Sequence, residues 1–235
     1  LKILCQRVRK VVGKGKSVLI KAVIFDFDGL IIDTETAWFE SFKEALGTYC
    51  VDLPLECFVQ TVGTGNDALY EFVRQQLGER CNIEEIEEKA ARFYEMKMEK
   101  PEAREGVKQY LEEAQELGYK IAIASSSKKE WIIHYLKKLD LLSYFEVIVT
   151  SEDVDKIKPA PDLYLKALDA LGVQPDEAIV FEDSLNGLQA ALAAGIKCVV
   201  VPNSVTQSLA FEQHALRLSS MAEKRLTDVI KLVMG

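Results

Sequence analysis

Histidine is nearly absent: His134 and His214 are the only two in 235 residues. That scarcity argues against a histidine-built zinc centre and against a Ser-His-Asp triad. Cysteine is sparse and scattered. Cys5, Cys50, Cys57, Cys81 and Cys198 form an odd set without a C-x-x-C pair, which points to reduced thiols in a cytoplasmic protein rather than a disulfide framework. No apolar run approaches the roughly 20 residues of a membrane span. A basic excess is missing as well: the net charge of −8 argues against non-specific binding of nucleic acid. Repeats and low-complexity segments are also lacking. What is present is an ordinary globular composition, 49% hydrophobic and 28% charged, with length for one large domain or a domain carrying an insert.

The chain is organised around Ala22-Val23-Ile24-Phe25-Asp26-Phe27-Asp28-Gly29. Four apolar residues read as a strand buried on both faces. A carboxylate is expensive inside such a strand, so Asp26 is expected where the strand leaves the sheet. In an open parallel sheet, that end is where ligands bind. The strand period puts Asp26 and Asp28 on one side, and Gly29 permits a sharp turn. Two like charges so close call for a shared cation or proton.

Residues 1–20 read as a basic extension, with Lys2, Arg7, Arg9, Lys10, Lys14 and Lys16 and no acid before Asp26. It lacks the apolar h-region of a secretory signal and is expected to be peripheral. Residues 34–103 read as helices: one from a cap at Asp33 or Thr34 to about Leu46, one after the turn Val62–Asn66, and one over Glu84–Lys100. This block interrupts the chain straight after the aspartates, so it should stand over them as a lid. From Glu105, strands alternate with helices. Strands are expected at Lys120–Ala124, Phe145–Val149, Ala178–Phe181 and Lys197–Val201, with a short extended piece near Leu216. Ser127 and Glu130 fit a capping box for the helix that carries Trp131. Such alternation predicts an α/β fold, a Rossmann-like doubly wound parallel sheet. Residues 21–33 and 104–235 would form the core, and 34–103 a helical cap.

Every reactive-looking residue falls at, or just beyond, the carboxyl end of an expected strand. Asp26 and Asp28 follow the first, Ser125 and Ser126 the second, Lys158 lies in the loop after the third, and Glu182 and Asp183 close the fourth. Parallel strands bring these ends to one rim. Ser125 offers a hydroxyl and Ser126 a backbone N–H beside a helix N-terminus, a pairing suited to phosphate oxygens. Lys158 offers a charge aimed by the rigid Pro-Ala-Pro turn that follows it. Asp183 with Asp26 would suit Mg²⁺, a hard cation that takes oxygen ligands.

The segments D-F-D-G at 26–29, the serine after I-A-I-A at 125, K-P-A-P at 158–161 and F-E-D-S at 181–184 resemble the four motifs of the haloacid dehalogenase superfamily. The likeness is to its β-phosphoglucomutase-like and phosphoglycolate-phosphatase-like branch, over roughly residues 21–203. The resemblance implies strand order 5-4-1-2-3, a helical cap and Mg²⁺-dependent phosphoryl transfer. Carried over by position, Asp26 is the nucleophile and Asp28 the acid–base group, whose backbone carbonyl is also a metal ligand. Asp183 is a second acidic ligand with Glu182 beside it, and Ser125 and Lys158 hold the phosphate.

The cap residues depart from the mutase pattern. Trp38 stands where the mutase has a histidine, and Val62 and Asn66 stand where its turn carries cations that grip a distal phosphate. Hydrolysis of a single phosphate ester is therefore expected, with Trp38, Gly63, Thr64, Asn66, Ser127 and Lys128 as candidate substrate contacts. Ser127 and Lys128 match mutase positions near a second phosphate, so a phosphosugar mutase stands as the alternative. A non-catalytic binding or regulatory module on the same fold is the alternative from another class. The expected partner is a small phosphorylated metabolite, with the chain a monomer or weak dimer and no role for nucleic acid or membrane.

Overall fold

A computed structural model describes residues 19–62 and 65–235. The expected basic extension therefore lies almost wholly outside the described residues, as do Gly63 and Thr64. Strand β1 (Ala22–Phe25) runs through the middle of a six-stranded parallel sheet of order β3-β2-β1-β4-β5-β6. The others are β2 (Lys120–Ala124), β3 (Val147–Val149), β4 (Ala178–Glu182), β5 (Lys197–Val200) and β6 (Leu216–Arg217). The expected order is observed, with β6 added outside β5. β3 starts later than the apolar pattern implied: a short 3-10 turn spans Leu142–Tyr144, and Phe145 N–H closes onto the Leu142 carbonyl.

Among the described residues there are nine α-helices. Four follow β1: α1 (Thr34–Gly47), α2 (Leu55–Phe58), α3 (Asp67–Leu77) and α4 (Ile83–Lys97). Five alternate with the later strands: α5 (Val107–Glu116), α6 (Lys129–Lys138), α7 (Asp162–Leu171), α8 (Leu185–Ala193) and α9 (Leu226–Met234). Strand alternation divides the core in two. Val23, Phe25, Ile121, Ile123, Ile179 and Phe181 face α5, α6 and α9. Ala22, Ile24, Ala122, Ala124, Val180 and Cys198 face α7 and α8. Central strands buried on both faces need such unbroken apolar runs.

Helices α1 to α4 make a separate apolar cluster. Phe42, Ala45 and Leu46 of α1 meet Leu69, Val73 and Leu77 of α3 and Ile86 and Ala90 of α4. Asp33 caps α1, its Oδ1 accepting from the Thr36 N–H at 3.1 Å. The capping box expected at Ser127 and Glu130 does not form. Lys128 is the N-cap of α6, and the Lys129 N–H is taken by Glu152 Oε2 at 3.0 Å. Ser127 is engaged elsewhere.

Register explains the convergence at the rim. Phe25 pairs with Ile123 on one side and Phe181 on the other. One residue further along, Asp26 therefore lies level with Ala124 and Glu182, and Ser125 and Asp183 follow at the same height. Asp26 N–H donates to the Phe181 carbonyl at 3.0 Å, holding the nucleophile candidate to the sheet.

Candidate active site

A cleft of about 390 Å³ opens over this rim. Its floor is a buried ion-pair network. Lys158 Nζ lies 2.5 Å from Asp26 Oδ1 and 2.7 Å from Glu182 Oε1. Burial pushes the ammonium towards its neutral form, but the two carboxylates outweigh it and Lys158 is held above the usual lysine range. Burial, with Glu182 adding to it, pushes Asp26 up to about 7 although Lys158 pulls the other way. Burial, then the charges of Asp26 and Glu182, lift Asp183 well above the carboxylate range. A buried acidic cluster with one cation is short of positive charge.

Glu182 is fully buried and fully engaged. Its Oε1 accepts from Lys158 and, at 2.5 Å, from the Tyr164 hydroxyl. Its Oε2 accepts from the N–H groups of Asp183 and Ser184 at 3.1 and 3.3 Å and from Ser184 Oγ at 3.2 Å. Five donors exhaust a carboxylate's roughly four lone-pair directions. Gly187 makes room for it: a Cβ there would lie 1.8 Å from Glu182 Oε1.

Asp183 is held from one side only. Asn203 Nδ2 donates to its Oδ2 at 2.8 Å. Asn203 is itself fixed by the Val205 and Thr206 N–H groups, each 3.0 Å from its Oδ1. Asp183 Oδ1 is buried without a hydrogen-bond partner. An orphaned carboxylate oxygen costs free energy unless a cation meets it. Carboxylate oxygens of Asp26, Glu182 and Asp183 all lie within 4.8 Å of one another. The donor set is all oxygen, so the site fits a hard divalent cation.

Asp28 sits at the edge of the cleft. Its Oδ1 accepts from Trp131 Nε1 at 3.0 Å and its Oδ2 from Ser127 Oγ at 2.6 Å. Ser125 is buried beside it, with a long 3.5 Å approach to Oδ2, and its Oγ accepts from the Ser127 N–H at 3.1 Å. Arg104 closes the back of the turn, donating to the carbonyls of Gly29 (2.6 Å), Val201 (2.9 Å) and Pro202 (2.8 Å).

The structure brings Asp26, Asp28, Ser125, Ser126, Ser127, Lys158 and Asp183 together around the cleft. Three expected contacts are not among its lining residues. Trp38 stacks on Tyr94 at 4.0 Å, an apolar packing role that its place on the inner face of α1 dictates. Asn66 Nδ2 donates to the Tyr70 hydroxyl at 2.9 Å, and Lys128 caps α6. Gly63 and Thr64 lie outside the described residues.

Glu35, Thr61 and Asn186 also line the cleft, although no motif in the sequence marks them. Glu35 reads in sequence as a favourable acid in a first helical turn. Folding instead aims it inward, where burial, then the charges of Asp28 and Asp33, push its carboxyl up to about 7.

Residues 23–201 match the model of the haloacid dehalogenase-like hydrolases. The chain is 46% identical to the candidate phosphatase YhcW of Bacillus subtilis, over 88% of this chain and 95% of that one. It is 33% identical to a phosphorylated carbohydrates phosphatase of Thermotoga maritima, over 76% of this chain and 83% of that one. Among solved structures, mutant CbbY from Rhodobacter sphaeroides in complex with xylulose 1,5-bisphosphate is similar. Its TM-score is 0.68 at 29% identity, covering 87% of this chain and 96% of that one.

Proposed function

Since the chain belongs to the haloacid dehalogenase-like hydrolases, and its relatives from Bacillus subtilis and Thermotoga maritima are named phosphatases, we propose that it is a Mg²⁺-dependent phosphatase of a small phosphorylated carbohydrate or similar metabolite. Turnover runs through a phosphoaspartate on Asp26, in a cytoplasmic monomer or weak dimer. The observation that carries this reading is the pairing of Asp26 with Lys158 at 2.5 Å beside the unpartnered buried oxygen of Asp183. One carboxylate thus lies next to a cation and beside a buried oxygen that no protein donor meets.

Asp26, Asp183 and the backbone carbonyl of Asp28 would hold the ion. When bound, Mg²⁺ neutralises charge on the phosphate oxygens and keeps Asp26 ionised. Lys158 and the Ser125–Ser126 segment bind the transferring phosphate. Asp26 attacks phosphorus, splitting hydrolysis into two easier steps. Asp28 gives a proton to the departing ester oxygen and takes one from the incoming water. Glu182 is assigned to holding Lys158 rather than the ion, because its oxygens are already spent on protein donors. Helices α1 to α4 act as the cap, residues 34–103, over a core of 21–33 and 104–235. The cap limits water while the first transfer takes place.

Hydrolysis is favoured over mutase chemistry by where the polar groups are spent. Ser127 is tied to Asp28, and Lys128 is not at the cleft. Among the described residues lining the cleft, Lys158 is the only lysine or arginine, so a second phosphate has no described cation to meet. The test is phosphate release across a metabolite panel with Mg²⁺ and with EDTA. Release only with Mg²⁺, strongest for sugar or polyol monophosphates, is expected. No hydrolysis of any ester would leave a binding module. Conversion of β-glucose 1-phosphate to glucose 6-phosphate faster than phosphate release would restore the mutase.

A further inference from the structure

We propose that Trp131 is a positioning residue for Asp28, fixing the orientation of its carboxyl in the cleft. The inference rests on the reading of Asp28 as the acid–base group. Trp131 Nε1 donates to Oδ1 at 3.0 Å, and Ser127 Oγ meets Oδ2 at 2.6 Å. An indole N–H only donates, whereas a hydroxyl donates or accepts. Oδ1 is therefore held as an acceptor, which leaves Oδ2 as the oxygen that can exchange a proton without breaking the bond to Trp131. Ser127 tolerates both states of that oxygen, and Oδ2 keeps a lone-pair direction that Ser127 does not occupy.

In the first transfer the Oδ2–H bond breaks and the proton passes to the ester oxygen. The ester P–O bond breaks, and a bond forms between phosphorus and Asp26. In the second, water oxygen bonds to phosphorus and the bond to Asp26 breaks. Oδ2 takes the water's proton, and Asp28 is restored.

Trp131 does not line the cleft, so it acts through Asp28. Its ring is fixed from two sides. It lies over Tyr94 at 6.2 Å and 21° and stands edge-on to Tyr135 at 4.6 Å and 66°. Tyr94 in turn stacks on Trp38 at 4.0 Å and 12°. An aromatic column thus runs from α1 through α4 to α6 and ends on the acid. It ties the orientation of Asp28 to the helices of the cap, and offset stacks of this kind hold a ring plane.

The experiment compares kcat/KM for phenyl phosphate and p-nitrophenyl phosphate in wild type, Asp28→Asn, Trp131→Phe and the double variant. A phenol resembles the tyrosine hydroxyl, with a pKa of about 10, and needs a proton to leave near neutral pH. p-Nitrophenolate leaves without one. Misplacing the acid should lower the phenyl phosphate value at least about 10-fold and the p-nitrophenyl phosphate value less than about threefold, general acids being worth roughly 10²–10⁴-fold. Trp131→Phe added to Asp28→Asn should change nothing further. Trp131→Tyr, which keeps an aromatic ring at this position but lacks the indole N–H, should shift the ratio in the same direction and serves if Trp131→Phe does not fold. Equal losses on both esters, or losses that add to those of Asp28→Asn, overturn the proposal. If Asp28→Asn itself shows no selective loss, the acid–base reading fails. If Asp28→Asn is selective and Trp131→Phe is not, only the positioning role fails.

Discussion

Gly29 and Asp183 meet so closely that a Cβ on Gly29 would lie 2.1 Å from Asp183 Oδ2. Gly29 also has φ +77°, where other residues are strained. Asn203 Nδ2 touches both, donating to the Gly29 carbonyl at 3.3 Å and to Asp183 Oδ2 at 2.8 Å. The turn after β1 and the ligand after β4 are thereby built as one object.

Replacing Gly29 by Ala should displace Asp183 and strain the turn, costing about 1–3 kcal/mol of stability. Mg²⁺ titration of activity should show half-saturation raised at least about 10-fold. A variant with wild-type Mg²⁺ dependence would show that the close approach of Gly29 does not set the position of Asp183.

The unpartnered Oδ1 of Asp183 predicts stabilisation by the ion. Mg²⁺ at about 100 times its Kd should add about 2.7 kcal/mol, read as a rise in Tm over protein in EDTA. Asp183→Asn should abolish that rise while folding in EDTA at least as well as wild type. It removes a buried carboxyl that burial and the charges of Asp26 and Glu182 make hard to ionise.

Lys158→Met should leave Asp26 and Glu182 buried against each other without their shared cation. Removing one partner of such a pair costs roughly 3–5 kcal/mol. Turnover should fall below detection, and Tm should drop well below wild type. A variant that melts with the wild type would show that the network contributes nothing to the fold.

Glu35 predicts a pH dependence of stability in EDTA. Its carboxyl is held up to about 7 in the folded chain, against an ordinary value of 4.5. Between these values the folded protein keeps a proton that the unfolded chain releases. Stability from this group is therefore full below about pH 4.5, falls as pH rises to about 7, and stays lost above it. Glu35→Gln, neutral throughout, should raise Tm relative to wild type at pH 8, by on the order of 2–3 kcal/mol of stability, and barely at pH 5. An equal gap at both pH values would place Glu35 in an ordinary solvated setting.

Much of this was legible in the chain because strand ends announce themselves. Ala22–Phe25 and Lys120–Ala124 are apolar runs stopped by Asp26 and Ser125, and they form strands with those bounds. The rim follows from parallel register. What stayed hidden depends on partners far away in sequence. Trp131 reads as one apolar position on an amphipathic helix, yet its N–H reaches a carboxylate 103 positions earlier. Asn203 and Arg104 sit in no motif, and their work is done on backbone carbonyls and Asp183. Glu182 looks in sequence like a twin of Asp183. Only the helix glycine at 187 and the hydroxyl of Tyr164 show it turned inward, towards Lys158. Ser127 suits a helix cap in sequence, but Lys128 takes the N-cap and the Ser127 hydroxyl donates to Asp28.

The central claim is covalent: a phosphoryl group rests on Asp26 during turnover. Acid quenching within the first turnover of p-nitrophenyl phosphate, followed by peptide mass mapping, tests it directly. The account predicts one phosphoryl group on the peptide that holds Asp26, absent in Asp26→Asn. A phosphoryl group on any other residue, or continued turnover by Asp26→Asn, would contradict it.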